Sequence, residues 1–311
     1  MPSLSRRQFL TTAAAATLGT QFSQCASATL PGGSAIDAHV HVWTPDTDRY
    51  PLAPGFEKRT IAPASFTPEE LFAQCRPQDV GRIVLIQMSF YKFDNRYMLD
   101  SIAAHPGVFS GVAIVDETAP HLRTRMQDLA KGGVRGFRIV SGKNAASWLT
   151  DPAMTEMWKI AADEGLNMCL LINPDDLAMV DKMCVKFPQT PVVVDHFARV
   201  GMAGPVSRAH LDRLLHLSVH KNLTLKTSAF YALGKKTPPY TDLAPMIKEC
   251  HQYFGAQRLM WASDCPFQVD PGHTYQDSIA LIRDRLDFLS ATDKAWMLGK
   301  TAEKVFFGKT A

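Results

Sequence analysis

The residues of this 311-residue sequence that are best suited to chemistry are histidines and acids at the ends of short apolar runs. His39 and His41 stand two residues apart in the first run, so both imidazoles lie on one face if that run is a strand. Two imidazoles on one face can chelate a divalent cation or stabilise a developing oxyanion. Taken alone, the pair is explained equally well by a purely structural role.

Acidic residues follow two later runs. Asp195 and His196 end one of them, and Asp264 follows another, two residues before Pro266. A carboxylate directly after a buried strand is costly unless it is paired or functional. Asp264 could take a proton from water and deliver it to a leaving group. The alternative for Asp264 is a turn in which its side chain bonds the backbone ahead of the proline.

Basic residues accompany two further runs. Arg138 ends one run and Lys226 ends another. An unpaired cation beside a buried strand is costly, so each could bind a substrate carboxylate, and Arg138 could do so through two parallel hydrogen bonds. A salt bridge to Asp195 or Asp37 is the alternative for both.

The rest of the sequence predicts a scaffold that brings the ends of these distant runs together. From Ile36 onward, eight short apolar runs alternate with helical patterns, which indicates βαβ units and a parallel sheet. We predict an α/β fold, a single-domain (β/α)8 TIM barrel over residues 35–308 with a closing C-terminal helix. A doubly wound open sheet is the alternative, although no glycine-rich phosphate loop follows the first run. The predicted strands are Ala35–Val42, Arg82–Gln87, Phe109–Val115, Val134–Ile139, Asn167–Ile172, Val192–Asp195, Leu223–Lys226 and Leu259–Trp261.

Helix starts are indicated by prolines in the first turn. Such prolines predict helices that begin near Thr67, Thr118 and Thr150. The irregular segment Pro45–Pro63 is predicted to cap the barrel mouth. Further predicted helices are Asp175–Phe187, Ser207–Leu217, Thr241–Phe254, Tyr275–Leu286 and Asp293–Phe306.

The barrel also predicts where the site lies. Barrel enzymes keep their catalytic residues at the carboxyl ends of the strands, and closure makes strand eight a neighbour of strand one. We therefore expect a single pocket at that end, with side chains close enough to share one ion. Its predicted members are His39, His41, His196 and Asp264.

The first 28 residues are predicted to be an export signal. Arg6 and Arg7 precede an Ala/Thr-rich run, and the sequence at 26–28 is the small-x-small pattern of a signal peptidase site. The pattern resembles a twin-arginine signal, so we expect a periplasmic or otherwise exported protein with a short linker at 29–34. The alternatives are a lipid anchor on Cys25 and a disordered basic tail. The apolar run is too short for a membrane span, which needs about 20 residues.

Charge and cysteine content limit the expected partners. The chain has 33 basic and 30 acidic residues, a balance that gives no reason to expect nucleic acid or a stable membrane association once the signal is removed. A small-molecule substrate is the expected partner, and the oligomeric state is left open. The cysteines after the signal lack metal-like spacing, so we predict free, mostly buried thiols.

The motifs in combination resemble the amidohydrolase-related family of TIM-barrel, metal-dependent hydrolases. Its features are Asp-x-His-x-His at 37–41, Asp-His at 195–196 and Ser-Asp-x-Pro at 263–266, and the resemblance spans roughly residues 36–306. The stretches at 87–95 and 136–138 place the chain nearest the pyrone-dicarboxylate and sugar lactonase branch. The resemblance implies catalysis, and the ligation of any metal, by His39, His41, His196 and Asp264, with Asp264 as general base. The expected substrate-binding residues are Arg138, Lys226, Gln87, Ser89, Tyr91 and Arg199.

Departures from the family pattern limit the metal site. Cys265 stands where the family usually has tryptophan, Asn173 ends strand five without the histidine of many zinc members, and Arg138 replaces a metal-bridging lysine. At most one divalent ion is therefore expected, zinc by preference, with metal-independent catalysis as the alternative. The implied reaction is water attack on a lactone of an acidic or sugar-derived substrate. A zinc-dependent decarboxylase and a non-catalytic binding barrel are the alternative functions.

Overall fold

The structure, a computed structural model, describes residues 35–141 and 147–308, so the predicted signal and linker at 1–34 lie outside the described residues. In the described part, eight strands pair in chain order, and each successive pair is parallel. The strands are β1 (Ala35–Val40), β2 (Val80–Ile86), β3 (Phe109–Ala113), β4 (Val134–Val140), β5 (Asn167–Leu171), β6 (Val192–Val194), β7 (Leu223–Ser228) and β8 (Leu259–Ala262).

A helix follows each strand, and one more helix ends the described chain. This alternation, with β8 returning beside β1, confirms the predicted (β/α)8 TIM barrel. The last two helices continue as π-helical turns over Leu281–Arg285, Trp296–Lys300 and Glu303–Phe307. The helices are α1 (Pro68–Cys75), α2 (Arg96–Ala104), α3 (Leu122–Lys131), α4 (Pro152–Asp163), α5 (Leu177–Lys186), α6 (Arg208–His216), α7 (Ala244–Phe254), α8 (Tyr275–Ala280) and α9 (Ala291–Ala295).

Two of the predicted helix starts are explained by capping side chains. Thr67 forms a capping box with Glu70, in which each side chain accepts a hydrogen bond from the other residue's backbone N–H. Asp151 caps α4 by accepting from two backbone N–H groups of its first turn. In both helices a proline occupies the first turn, as the sequence indicates.

Two helix starts differ from the prediction. The helix expected near Thr118 begins only after His121, because the Thr118 hydroxyl bonds Asp116 in a tight turn. The start of α2 was not predicted. Asn95 precedes this helix but does not cap it, since its amide bonds the backbone of Ile114 instead.

Two apolar layers support the carboxyl end of the barrel. Strand residues such as Ile36, Val84 and Val193 pack together in the lumen, and a larger core lies between the sheet and the helices. Phe306 joins the lumen cluster from the C-terminal turn, with the Nζ of Lys226 lying 5.4 Å from its ring centroid. The polar residues of the barrel interior therefore lie against a layer of apolar side chains.

The five cysteines of the described part are free and buried, as predicted. The segment Pro45–Pro63 lies along the loop that follows β2, where Ala53 N–H donates to the Phe90 carbonyl. None of its residues, all of which are described, lines the cavity reported below, and its predicted role as a cap over the barrel mouth stays a prediction. Among the described residues, no helix is both long and apolar enough to cross a membrane.

A shift of register within β1 decides which of its side chains face the site. The pairing with β2 is irregular just after Asp37. Strict alternation would put Asp37 on the face of His39, but Asp37 instead accepts a 2.7 Å hydrogen bond from the Tyr275 hydroxyl of α8. The salt bridge considered between Asp37 and either Arg138 or Lys226 is therefore not formed.

Asp37 joins the first and last strands of the barrel. Its Oδ1 accepts from the backbone N–H of Ser263 at 2.9 Å and from that of His39 at 3.2 Å. No cation of the described residues contacts the carboxylate, and burial outweighs the hydrogen bonds and raises the pKa of Asp37 from 3.8 to about 6. The folded protein consequently binds a proton at Asp37 more tightly than the unfolded chain does.

This raised pKa predicts a pH-dependent effect of Asp37→Asn on stability. The contribution of Asp37 to folding is fully present below pH 4 and is lost as the pH rises through about 6. The free energy of unfolding of Asp37→Asn, relative to the native protein, should thus rise by up to about 3 kcal/mol between pH 4 and pH 8. Urea denaturation across this range measures the difference. A constant difference would show that Asp37 is ionised in the fold without penalty.

Candidate active site

The carboxyl ends of β1, β6 and β8 bring together the four residues that were predicted to meet there. His39 and His41 approach to 3.2 Å between their Nε2 atoms. Oδ1 of Asp264 lies 3.5 Å from Nε2 of His39 and 3.4 Å from Nε2 of His41. Oδ2 of Asp264 lies 3.7 Å from Nε2 of His196. The four buried side chains therefore share one pocket, while their catalytic roles stay predictions.

The backbone fixes the orientation of His41. Its Nδ1 lies 2.8 Å from the carbonyl oxygen of Ile86, at the end of β2. Because only a protonated nitrogen can bond a carbonyl, Nδ1 carries a hydrogen, and in the neutral tautomer with that hydrogen Nε2 carries a lone pair. This lone pair faces His39 and Asp264.

A buried ion pair holds His39 from the other side. Nζ of Lys226 lies 3.0 Å from Oδ1 of Asp195 and donates to Nδ1 of His39 at 3.2 Å. The same Nδ1 lies 3.5 Å from Oδ1 of Asp195, and all three side chains are wholly buried. Nδ1 thus has both a donor and an acceptor beside it, so either neutral tautomer of His39 finds a partner.

His196 enters the site through an unusual backbone conformation. Its φ is 52°, and φ of Asp264 is 68°, a left-handed region that non-glycine residues seldom adopt. Nδ1 of His196 lies 2.7 Å from the Ser228 hydroxyl at the end of β7, and its ring centroid lies 4.4 Å from that of His39. Backbone strain at two neighbouring polar residues is typical of functional sites.

Burial and charge together set the ionisation of the site. Burial lowers the pKa of His39 and of His196, so both imidazoles are neutral near pH 7. Burial by itself would raise the pKa of Asp264, but its interactions with His196 and the neighbouring imidazoles hold that pKa below the usual range. The Lys226 ammonium likewise outweighs burial and keeps the pKa of Asp195 low. Both carboxylates are therefore ionised at pH 7.

A cavity of about 230 Å³ opens onto this cluster. His41, His196 and Asp264 line it, together with Arg138 and Arg199. Two guanidinium groups beside a single carboxylate suit the cavity to a small molecule that carries negative charge.

The two arginines are held differently. Arg199 donates to Oδ1 of Asn173 at 3.0 Å, and Arg138 donates to the Gln87 carbonyl at 3.2 Å. Nε of Arg138 is buried and has no hydrogen-bond partner among the described residues. Burial lowers the pKa of Arg138, although its guanidinium stays charged. Arg138 therefore lines the cavity with at least one donor that no hydrogen bond among the described residues uses.

Four residues predicted to bind substrate do not line the cavity. Gln87 donates to two carbonyls of the loop after β2, and the Tyr91 hydroxyl accepts from a backbone N–H of the loop after β1. Lys226 is wholly buried in its ion pair, as the salt-bridge alternative for it required. Ser89 is exposed on its loop, outside the cavity. Gln87, Tyr91 and Lys226 thus support the site through protein contacts, and their predicted role in substrate binding stays a prediction.

Comparison with known proteins agrees with this geometry. Residues 36–308 match the amidohydrolase family. The chain belongs to the amidohydrolase family. The L-fucono-1,5-lactonase of Burkholderia ambifaria is 26% identical over 243 residues, which cover 76% of this chain and 82% of that enzyme. The 2-pyrone-4,6-dicarboxylate hydrolase of Comamonas testosteroni is 27% identical over 259 residues, which cover 80% and 82%.

Solved amidohydrolase structures share the fold. An amidohydrolase from Burkholderia multivorans, crystallised with bound zinc, superposes with a TM-score of 0.72 at 19% identity, covering 88% of this chain and 99% of that one. The predicted family, its lactonase branch and the hydrolase class are thereby confirmed.

The structure adds two residues to this amidohydrolase site that the sequence reading did not assign. The Tyr231 hydroxyl donates to Oδ2 of Asp264 at 2.7 Å, and Ser228 contacts His196. Both lie at or just after the carboxyl end of β7, where barrel enzymes place site residues. Their position could have identified them, but the sequence offers no motif around either residue.

Three donor atoms have the spacing of a mononuclear metal site. In a tetrahedral zinc site with bonds of about 2.0–2.1 Å, neighbouring ligand atoms are about 3.3 Å apart. Nε2 of His39, Nε2 of His41 and Oδ1 of Asp264 are separated by 3.2, 3.5 and 3.4 Å. The three residues fit one divalent cation and leave a fourth position open, as catalytic zinc sites do.

A second set of donors is less suitable. His39, Asp195 and His196 also offer ligand atoms within 4.8 Å of one another. However, the ammonium of Lys226 already supplies a positive charge at Asp195. The first set is therefore the better match to one cation, and His196, the remaining predicted ligand, belongs to the second set.

Proposed function

We propose that this chain hydrolyses the ring ester of a lactone that carries a carboxylate or sugar-derived polar groups. The observation that carries the proposal is the placement of Asp264, whose two oxygens face different partners. Oδ1 meets His39 and His41, and Oδ2 meets His196 at the cavity. One oxygen can thus be held in place while the other, which accepts from the Tyr231 hydroxyl, keeps a second lone pair for a water molecule.

The proposed reaction begins with water beside Asp264. The carboxylate takes a proton as the water oxygen attacks the lactone carbonyl, because its low pKa keeps it ionised at pH 7. The developing oxyanion is stabilised by Arg138 and by His196 in the tautomer that carries its hydrogen on Nε2, since both residues line the cavity. Opening of the ring then leaves a hydroxy acid.

Charge in the cavity supports an acidic or polyhydroxylated substrate. Arg138 and Arg199 are the cations on its wall, and Asp264 is the acid among its lining residues. The lactonase and the pyrone-dicarboxylate hydrolase named above act on substrates of these two kinds. A carboxylate of the substrate would offset guanidinium charge that no ion pair among the described residues compensates.

We also propose that His39, His41 and Asp264 bind one zinc ion. The spacing of their donor atoms and the zinc in the Burkholderia multivorans structure support this choice. When bound, a divalent ion would supply Lewis-acid polarisation to the reacting groups. Asp195 would then accept the Nδ1 hydrogen of His39, the tautomer in which Nε2 is free to bind metal.

We also propose that residues 1–28 direct export of the chain through the twin-arginine pathway. The support is the pair Arg6 and Arg7 ahead of an uncharged run, and the small-residue pattern that ends at Ala28.

Asp264→Asn tests the catalytic assignment. Asparagine keeps the size of the side chain but cannot take a proton, so kcat should fall by at least about 100-fold while thermal unfolding changes little. Initial rates on L-fucono-1,5-lactone and 2-pyrone-4,6-dicarboxylate measure the loss. Asp270→Asn, the same change at an exposed position outside the cavity, is the matched control. Near-normal turnover in folded Asp264→Asn would move the base elsewhere, and a native enzyme inactive on every lactone tested would refute the function.

Zinc titration tests the metal assignment. Calorimetry of the metal-free protein should give one site, and His41→Asn should weaken zinc binding by at least about tenfold because it removes a ligand. His216→Asn removes an imidazole that is 62% exposed and should leave the affinity unchanged. Equal affinity in both variants, or no saturable site in the native protein, would contradict the assignment.

Mass spectrometry tests export. The mature protein from its native host should begin at Thr29, and changing Arg6 and Arg7 together to lysine should leave the precursor uncut while preserving charge. An intact N-terminus in the native protein, or a lipid on Cys25, would overturn the proposal.

A further inference from the structure

Tyr231 is the cavity residue most directly joined to the proposed base. Its hydroxyl donates to Oδ2 of Asp264 at 2.7 Å, and its side chain lines the same cavity. The nearest imidazole contact to that oxygen, from Nε2 of His196, is longer at 3.7 Å. The oxygen that would take the proton from water therefore already has a hydroxyl as its closest partner.

The local fold holds the Tyr231 ring in place. After β7 ends, Ala229 adopts a left-handed conformation with φ of 57° and starts a short 3-10 turn over Phe230–Ala232. The ring of His273 contacts that of Tyr231 edge-on, with 6.1 Å between the ring centroids. Nδ1 of His273 is in turn hydrogen-bonded to the Tyr240 hydroxyl at 2.8 Å. The hydroxyl is thus positioned by the backbone on one side and by an aromatic contact on the other.

The chemical state of Tyr231 suits it to pass on a proton. A phenol has an ordinary pKa of about 10, so it carries its proton at neutral pH, and here that proton is directed at Oδ2 of Asp264. A hydroxyl can donate one hydrogen bond while accepting another. It can therefore exchange one proton for another without forming a free tyrosinate.

We propose that Tyr231 carries the proton from Asp264 to the leaving oxygen of the lactone. This role rests on the proposed lactone hydrolysis and adds a second catalytic residue to it. The geometry favours it over direct delivery because Oδ1 of Asp264 faces His39 and His41, while Oδ2 faces Tyr231.

The proton transfers balance in two steps. Water attacks the carbonyl carbon, forming a carbon–oxygen bond, and one water proton moves to Oδ2 of Asp264. The bond between that carbon and the ring oxygen then breaks, and its electron pair takes the proton of the Tyr231 hydroxyl. The Tyr231 oxygen takes the proton from Asp264 in the same event, which restores the carboxylate and the neutral phenol. The product is a hydroxy acid, whose own ionisation releases the remaining proton.

Tyr231→Phe tests this transfer through the leaving group. The ring oxygen of L-fucono-1,5-lactone leaves as an alkoxide and needs a proton, whereas that of 2-pyrone-4,6-dicarboxylate leaves as a stabilised enolate. We expect kcat to fall by about 100-fold for the sugar lactone and by less than about fivefold for the pyrone. Tyr50→Phe is the matched control, since it removes a tyrosine-to-aspartate hydrogen bond of the same 2.7 Å length, to Asp100, away from the cavity.

The outcomes separate this proposal from the proposed function. A native enzyme that opens neither lactone refutes the function itself. If kcat falls equally for both substrates in Tyr231→Phe, Tyr231 only positions Asp264. If kcat does not fall for either, Tyr231 neither positions Asp264 nor transfers the proton.

A measurement on the unmutated enzyme covers the cases in which the variant fails to fold or one lactone is not accepted. In mixtures of H2O and D2O, the plot of kcat against the D2O fraction should be curved for an accepted sugar lactone, because two protons move together when the ring opens. If only the pyrone is accepted, its kcat should vary linearly. A straight line for the sugar lactone or a curve for the pyrone would overturn the proposal.

Discussion

The ion pair between Lys226 and Asp195 is the interaction on which the rest of the site depends. Both side chains are wholly buried in the barrel, 3.0 Å apart, with the ring of Phe306 beneath the ammonium. Removing two charges from water is expensive, and removal of one partner from such a pair typically costs about 3–5 kcal/mol. The pair is nevertheless retained at the centre of the molecule, where its immediate neighbour is His39.

From this pair, a chain of contacts leads to the cavity. His39 is held at Nδ1 and presents Nε2 to His41 and Asp264, and Asp264 reaches Tyr231 through its other oxygen. Because Nδ1 of His39 can donate to Asp195 or accept from Lys226, the cluster is satisfied with or without a bound cation. The contacts at Nδ1 can therefore hold His39 whether or not its Nε2 binds a cation.

Much of the fold and the centre of the site could be predicted from sequence. Continuous apolar runs identified all eight strands, because a strand buried on both faces tolerates few polar residues. The convergence of His39, His41, His196 and Asp264 followed from barrel closure, which places the ends of β1 and β8 side by side. The substrate contacts were harder to predict. Whether a residue after a strand meets a ligand or a loop carbonyl depends on loop conformation, which local patterns do not specify.

The sequence by itself determined the barrel, the family and the four polar residues at its centre, because these depend on periodicity and on motifs close together in the chain. Only the tertiary structure decided the rest. The irregularity in β1 turns Asp37 away from the face that alternation predicts, and burial pairs Lys226 with Asp195. The turn after β7 delivers Tyr231 to Asp264. Each outcome depends on contacts between residues distant in the chain, whose geometry is established only when the barrel closes.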